Sequence, residues 1–536
     1  LKQRLSGAQA IIKTLRAFHI NTIFGIPGVH TLALYDAMRD EVGLRHVLAR
    51  HEQGAGFMAE GYARIQGRPG VVCTITGPGA TNVATPVASA YADSVPLLVI
   101  SSSSSTSSDG RGRGELHEIK NQLALMEALT GWTRAVKHVE EIPDALRDAF
   151  RSMQLGRPRG AYLQVPFDIL TAQAEVEIPT EPLKIDALRP TEAALKAAVQ
   201  LLLNAHRPVI IAGEGVTAAR ANDLLRRLAE RLDAPVLLGS KSHDVLASNH
   251  PLVLTASSYI PSELRELMEQ SDLALVVGSK LGLERTGEGR LPIPSRLIHI
   301  DIDSAEIGRN YPATVSVVAD AYAALEGFLA ALPASSVHRE ARTDEIAQVR
   351  ESLHRHTAKY FDVALLDALR EGLPRDGIVV ADMTMLGYAS AQYLPVYEPR
   401  TFIHPSEFCT IGCGLPLALG AKVAAPERPV VALCGDGGFL LNTGELATAV
   451  QEQIPMVVVI FNDATFTAVK SEQKRHFHGR YIATDVRPPD YVALAHAFHA
   501  QGLRAETPDT LRTALSSALQ ATGPTVIEVP LPARQW

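Results

Sequence analysis

A chain of 536 residues that is 46% apolar and only 20% charged has material for about three or four buried cores. Its 51 Lys and Arg against 58 Asp and Glu leave a net charge of -7 with no basic patch, which argues against nucleic acid and anionic membrane as partners. No apolar stretch approaches the length of a bilayer span, the start Leu1 to Gly7 has no signal-peptide core, and the four cysteines Cys73, Cys409, Cys413 and Cys434 form no C-x-x-C pair, so a reduced, cytoplasmic setting is expected.

The first block, residues 1 to about 172, carries three glycine-rich motifs in an α/β pattern. They are Phe24-Gly25-Ile26-Pro27-Gly28, then Arg50-His51-Glu52-Gln53-Gly54-Ala55 opening a helix from Gln53 to Arg64, then Gly77-Pro78-Gly79-Ala80-Thr81-Asn82. A strand exit at Pro166 to Ile169 leads into a polar, Pro-containing link from Thr171 to Pro190. The second block, 191 to 333, has short apolar runs at Val209–Ala212, Val236–Leu238, Leu273–Val277 and Leu297–Asp301, the signature of another parallel sheet. Its Gly213-Glu214-Gly215-Val216-Thr217-Ala218 is a degenerate dinucleotide fingerprint. A link from Pro333 to about Thr357 precedes the third block, 358 to 536, which begins with a helix near Tyr360 to Arg370 and a strand Ile378 to Ala381. The expected class is therefore α/β, with three doubly wound parallel-sheet domains at 1–172, 191–333 and 358–536.

The third block holds the densest signal. An apolar run, Pro429 to Cys434, stops at Gly435-Asp436-Gly437-Gly438, and a second run, Met456 to Phe461, stops at Asn462-Asp463. Between them Asn442 to Glu452 has helical spacing, with Leu441, Leu446 and Val450 available for a core face. A right-handed crossover places both strand ends at one sheet edge, where open α/β sheets bind ligands. Glycines admit phosphate oxygens to the backbone, and paired carboxylates suit Mg²⁺, which is shared with substrate phosphates. No lysine follows the glycines, which excludes a Walker-type loop.

Gly-Asp-Gly followed by a helix, a strand and Asn-Asp resembles the diphosphate-binding motif of thiamine diphosphate enzymes, the superfamily of acetolactate synthases and 2-oxo acid decarboxylases. The resemblance implies a pyrimidine-binding first domain, a Rossmann-like central domain and a diphosphate-binding third domain, with thiamine diphosphate and Mg²⁺ as cofactors. It assigns Asp436, Asp463 and the carbonyl of Thr465 to the metal, with Asp463 standing where the family has asparagine. Glu52 is implied as the acid that bonds the aminopyrimidine and shares its proton. The segment Glu407 to Pro416 resembles the stretch threading between the cofactor rings, which makes Ile411 the wedge and the Cys409 carbonyl an acceptor; ordinary core packing is the alternative for Ile411. Gly28, Gly77, Asn82, Gly435, Gly437, Gly438 and Phe466 complete the implied cofactor contacts.

Around the reacting carbon the same resemblance offers His30, His117, Glu118, Phe466 and Val469, with His30 and His117 as catalytic candidates beside Glu52. Val29 stands where pyruvate decarboxylases carry an acid, while benzaldehyde lyase has a small apolar residue and then histidine. Pro27 to Leu32, Arg50 to Ala59 and Leu116 to Glu118 together are most similar to the 5-guanidino-2-oxopentanoate decarboxylases. A guanidinium tail prefers a carboxylate partner, for which Glu115, Glu118 and Glu472 are candidates. Ser101 to Gly114 is expected as a solvated loop or a flap over the site. The implied activity is decarboxylation of a small 2-oxo acid through ylide and enamine intermediates; the alternatives are a carboligase of acetolactate synthase or benzaldehyde lyase type, and a nucleotide-binding protein that has lost the chemistry. Acetolactate synthases bind FAD in the central block, but packing also accounts for its glycines, so FAD is the second reading there. The family builds its site between chains, which implies a homodimer at least and a homotetramer as the fuller assembly.

Overall fold

In the first sheet the strands Thr22–Gly25, Gly70–Thr74, Leu97–Ser103 and Ala161–Pro166 are buried along their whole length, as expected of parallel strands covered on both faces. The computed structural model that shows this describes residues 2–181, 184–256, 259–283, 285–333 and 342–532. Three parallel sheets carry the fold, in the α/β class the sequence implies. The chain packs as two compact units: residues 1–185, 405–504 and 517–536 form one, and 186–404 with 505–516 form the other.

In the first unit the first sheet runs in the order Arg45–Leu48, Thr22–Gly25, Gly70–Thr74, Leu97–Ser103, Ala161–Pro166, Trp132–Ala135, all parallel. The third sheet contributes to this unit Val430–Gly435, Val457–Asn462, Thr525–Pro530 and Gln501–Arg504, again parallel and in that order. Both sheets thus exchange their last two strands in space. Each has a helix running into its central strand, Glu52–Gln66 in one and Gly414–Ala424 in the other, and these two helices pack on each other. The contact is reciprocal: a Cβ on Gly61 would overlap the Leu417 carbonyl oxygen, and one on Gly420 would overlap that of Met58. Small residues at a crossing let two backbones touch, and here they lock the helix Glu52–Gln66 to the helix Gly414–Ala424.

In the second unit the central sheet runs Val253–Thr255, Val236–Leu238, Pro208–Ala212, Leu273–Val277, Leu297–Asp301, Val315–Val318. Numbered along the chain this is 3-2-1-4-5-6, a dinucleotide-binding topology. At its switch point, however, Gly213 N–H donates to the Val277 carbonyl at 2.9 Å and Gly215 N–H to the Gly278 carbonyl at 3.2 Å. Those glycines serve contact between two loops. The strand Ile378–Ala381, found as expected, pairs in parallel with Phe402–Ile403 in the same unit.

Both segments read as links hold regular structure in their described parts. Gln173–Glu177 is a strand, antiparallel to Lys2–Ser6 with Lys2 opposite Glu177 and Ser6 opposite Gln173. Thr343–Tyr360 is a helix with Asp344 and Glu345 in its first turn, where they complement the helix dipole, and Ile346, Val349 and Leu353 buried along one face. Residues 182–183 and 334–341 of those links lie outside the described residues. The helix expected at 360–370 runs Val363–Gly372, after Phe361 closes the preceding one.

Candidate active site

The expected glycine loop after Cys434 is instead a helical first turn. Gly435 is the N-cap, in extended backbone, and Asp436–Leu441 is a short helix, so Gly437 and Gly438 lie within its first turns. A second helix, Glu445–Gln451, follows; Leu446 faces the core as expected, whereas Leu441 is exposed because the first helix ends there. Asp436 is 3% exposed. Its Oδ1 accepts from the Gly437 N–H at 2.7 Å, its carbonyl accepts from the Tyr491 hydroxyl at 2.8 Å, and its Oδ2 is buried without a partner. Burial pushes this carboxyl up to about 6, and the charge of Asp463 adds to the rise.

Asp463 comes off the neighbouring strand, in which Phe461 is in register with Gly435. Asn462 locks the strand end, donating to Glu528 Oε1 at 2.9 Å and accepting from the Ala464 N–H at 3.3 Å. Ala464 then takes a left-handed conformation, φ 57°, and turns the chain. The Thr467 hydroxyl donates to Asp463 Oδ2, and the Thr467 N–H to the Thr465 carbonyl at 2.9 Å, which leaves that carbonyl its other lone pair. The turn is held from outside by residue 484: the Phe466 N–H and the Thr465 hydroxyl both donate to the Thr484 carbonyl, at 2.8 and 2.7 Å. The Phe466 ring crosses Gly437 where any side chain would collide with it.

The threading segment is tightly turned. Cys409 has φ 56° and Gly412 φ 84°; a Cβ at 412 would stand 2.7 Å from Leu441 Cβ, and the Gly412 carbonyl accepts from Asn442 Nδ2 at 2.7 Å. Ile411 is 38% exposed on this turn and is therefore no core residue in the chain by itself.

On the other half of the unit, His51 caps the helix Glu52–Gln66, its Nδ1 accepting from the Gln53 N–H at 3.1 Å. Glu52, its first residue, is half-buried and its Oε2 accepts from Asn82 Nδ2 at 2.9 Å. Asn82 ends the short helix Pro78–Asn82, on which a Cβ at Gly79 would stand 3.4 Å from Glu52 Oε1. Gly77 opens that helix with φ 66° and lies flush against the carbonyl oxygen of His117, which is itself left-handed at φ 65°. The His117 ring meets that of His30 edge-on, centroids 5.9 Å apart, and His30 stacks on Phe167 at 5.1 Å. Gly28, two residues before His30, packs on Ile75. His30 Nδ1 is buried without a partner. Burial, and then the charge of His117, lower the His30 pKa, opposed by Glu115. Thus Glu52 and His117 meet the single turn Gly77–Asn82, and His30 joins them through the His117 ring.

Two of the three carboxylates offered for a guanidinium are already committed. Glu118 accepts from the N–H groups of Gly112, Gly114 and Glu115, at 2.8, 2.7 and 3.2 Å, and so shapes its own loop. Glu472 pairs with Arg475 and His476 on its own helix, at 3.1 and 3.0 Å. The serine-rich stretch is no uniform flap either: Ser101 to Ser103 end a strand, and together with Ser104 they are buried, while 109 to 114 are exposed.

Three family models match the chain in order. They are the thiamine pyrophosphate enzyme N-terminal TPP binding domain over residues 5–125, the central domain over 195–328 and the C-terminal TPP binding domain over 382–529. Among curated relatives, a "Probable 2-ketoarginine decarboxylase" of Pseudomonas aeruginosa is 36% identical over 539 residues, spanning 98% of this chain and 94% of that protein. The chain belongs to the thiamine pyrophosphate enzyme family. A "Probable acetolactate synthase large subunit" of Methanocaldococcus jannaschii is 33% identical, covering 98% of this chain and 92% of its own, and the acetolactate synthase isozyme 3 large subunit of Escherichia coli is 32% identical, covering 97% and 93%.

As an enzyme of this family the chain must hold thiamine pyrophosphate, the same compound as thiamine diphosphate, and its residues fit the group. A buried carboxylate oxygen without a partner, a second carboxylate beside it and a backbone carbonyl on the next turn form an all-oxygen set suited to a hard cation shared with phosphate. The set has two carboxylates and one carbonyl, and no group of three His, Cys, Asp or Glu side chains gathers anywhere among the described residues. Several supporting residues carry no local sequence signal. Tyr491 holds the Asp436 backbone. Gln122, 4% exposed, accepts from the Gly77 N–H at 2.7 Å and the Thr76 hydroxyl at 2.9 Å, and Phe167 backs His30.

Proposed function

We propose that this enzyme decarboxylates a 2-oxo acid non-oxidatively, using thiamine diphosphate and Mg²⁺, and that 5-guanidino-2-oxopentanoate is its substrate. One observation carries the reading: Glu52 and His117 meet the same turn and the His30 ring adjoins that of His117, so an acid for the cofactor and two proton-handling groups for the product lie close together. Bound there, the cofactor supplies the electron sink for loss of CO₂. Glu52, oriented by Asn82, holds and returns a proton at the pyrimidine ring. His30 and His117 manage the proton of the product. Asp436, Asp463 and the Thr465 carbonyl hold the metal; Gly28, Gly77, Asn82, the Cys409 carbonyl, Ile411, Gly435, Gly437, Gly438 and Phe466 border the coenzyme.

The guanidino side chain is supported twice. A 2-ketoarginine decarboxylase, named for this same keto acid, is a relative along nearly the whole chain. Of the three candidate acids, Glu115 alone has a carboxylate with no hydrogen bond or ion pair among the described residues; it is half-buried and acts electrostatically on His30. The acetolactate synthases at 33% and 32% identity favour the carboligase as the second reading.

The same reading divides the chain into a pyrimidine-binding domain at 1–172, a central domain at 191–333 and a diphosphate-binding domain at 358–536, with FAD possible in the central domain but not favoured. Its working unit is a homodimer or a homotetramer, because Val29, Leu116, Ile411, Phe466 and Val469 leave 60, 58, 38, 37 and 54% of their surface exposed on the cofactor motifs. Among the described residues no helix is long and apolar enough to cross a membrane, and a cytoplasmic setting completes the reading. A panel of 2-oxo acids with mass spectrometry of the products tests it. The guanidino acid should give 4-guanidinobutanal and CO₂ at the highest kcat/KM; acetolactate as the main product from pyruvate would overturn it.

A further inference from the structure

Glu445 is the first residue of the helix Glu445–Gln451, on the diphosphate side, and is 1% exposed. Its backbone N–H donors are not on that side. Oε1 accepts from the N–H of Arg50 at 3.1 Å and of His51 at 3.0 Å, and Oε2 from the Arg50 N–H at 3.2 Å; the Thr448 hydroxyl fixes Oε2 at 2.7 Å. The two backbone donors immediately precede Glu52. A buried carboxylate with this many partners is fixed in place, and a group that fixes the backbone at one residue fixes the Cα of the next.

Room for it is built in. Any side chain at Gly54 would overlap the Glu445 carboxylate. The end of the same helix and its C-cap splint the segment before Glu52: Gln451 accepts from Arg50 Nη2 at 2.7 Å, and Glu452 accepts from the Leu48 N–H at 3.4 Å. Asn82 orients the Glu52 carboxylate, but its backbone is set from the opposite side of the unit.

We infer that Glu445 is a positioning residue for the reaction: it sets where Glu52 stands, and it does so from the very segment that carries the metal ligand Asp436. This rests on the role given to Glu52 above. Displacement of a catalytic group by about 1 Å costs on the order of a hundredfold in rate. The carboxylate's reach is therefore the property under test.

The experiment compares Glu445→Asp, one methylene shorter, with Glu445→Gln, which keeps both the length and an acceptor oxygen. Two readouts are taken. One is the rate of C2–H to deuterium exchange in enzyme-bound thiamine diphosphate, by quenched NMR; the other is amide exchange of the peptide spanning residues 49–55 in the cofactor-free protein, by mass spectrometry. Glu445→Asp should slow C2 exchange about ten- to a hundredfold and speed amide exchange at 50 and 51, whereas Glu445→Gln should stay within about threefold of the parent in both. C2 exchange within twofold of the parent in Glu445→Asp overturns the inference, whatever its melting temperature. So does equal slowing in both variants with amide exchange unchanged, since charge and not placement would then matter. If the parent takes up no cofactor the proposed function fails, and the amide readout still decides the placement: no change at 50 and 51 in Glu445→Asp overturns it.

Discussion

Gly61 packs flush against the carbonyl oxygen of Leu417, so closely that any Cβ at position 61 would overlap it. Backbone cannot yield as a flexible side chain can. Gly61→Ala should therefore destabilise the protein by about 1–3 kcal/mol, the usual cost of overpacking a tight contact. Urea unfolding of the cofactor-free enzyme measures this, and an unchanged midpoint refutes it.

Glu52→Gln keeps the shape of the side chain and removes the acid. Its kcat should fall about 10²- to 10⁴-fold, the range for a lost acid–base group, while calorimetric uptake of thiamine diphosphate with Mg²⁺ remains. Undiminished activity would show that the catalytic acid lies elsewhere.

Tyr491 touches neither cofactor nor metal in this assignment; its hydroxyl holds the backbone of Asp436. Tyr491→Phe should weaken the apparent affinity for Mg²⁺ about tenfold or more at saturating thiamine diphosphate, as loss of an outer support does. A magnesium titration of activity gives the answer, and an unshifted midpoint would leave Tyr491 with packing alone.

The proposed reading gives Glu115 two separable effects. If it is the partner of a guanidinium, its conversion to Gln should raise KM for the guanidino acid about ten- to a hundredfold, with little change for a short uncharged 2-oxo acid. As the charge that raises the His30 pKa against burial and His117, its loss should lower that pKa further, so that His30 stays neutral to lower pH and any acid limb due to it in kcat/KM moves down. A limb that moves upward contradicts the assignment.

His243, buried in the second unit, has its pKa brought down to about 4 by burial, with Nε2 at 2.6 Å from the Leu394 carbonyl and Nδ1 without a partner. Between pH 6.5 and 4 the unfolded chain binds a proton there that the folded chain refuses. Stability contributed by neutral His243 is thus complete above pH 6.5 and is lost as the pH falls toward 4. Asp244, raised to about 6 by burial, works in the opposite sense over part of that window, so the comparison is with His243→Gln: the variant should lose less stability on acidification than its parent, by thermal melts at pH 7 and 5.

Much of this was legible because it is local. The run Pro429 to Cys434 with its glycines and acid identifies a strand end from a few consecutive residues, and the observed strand differs by one residue at each end. The helix over 343–360 had its signal too, in Ile346, Val349 and Leu353, but the polar residues between them made the stretch look like a linker. Gln173–Glu177 has little strand character of its own and exists because Lys2–Ser6 supplies its hydrogen bonds. Gln122, Tyr491 and Glu445 could not be found by any spacing rule, since Glu445 meets Arg50 across 395 positions of sequence and nothing in either neighbourhood announces the other. The surroundings of Glu118 were hidden for a related reason: spacing shows an acid near the motifs, but not that three N–H groups of its own loop bond to it.

The interlock of Gly61 with Leu417 and of Gly420 with Met58 also limits how this enzyme can be recombined with its relatives. A chimera taking only the first 170 or so residues from another family member would set a foreign helix against these carbonyls and against Glu445. Crossovers that move both partners of each contact together keep the seam intact, so shuffled libraries should return functional offspring mainly when residues 52–66 and 414–451 share a parent.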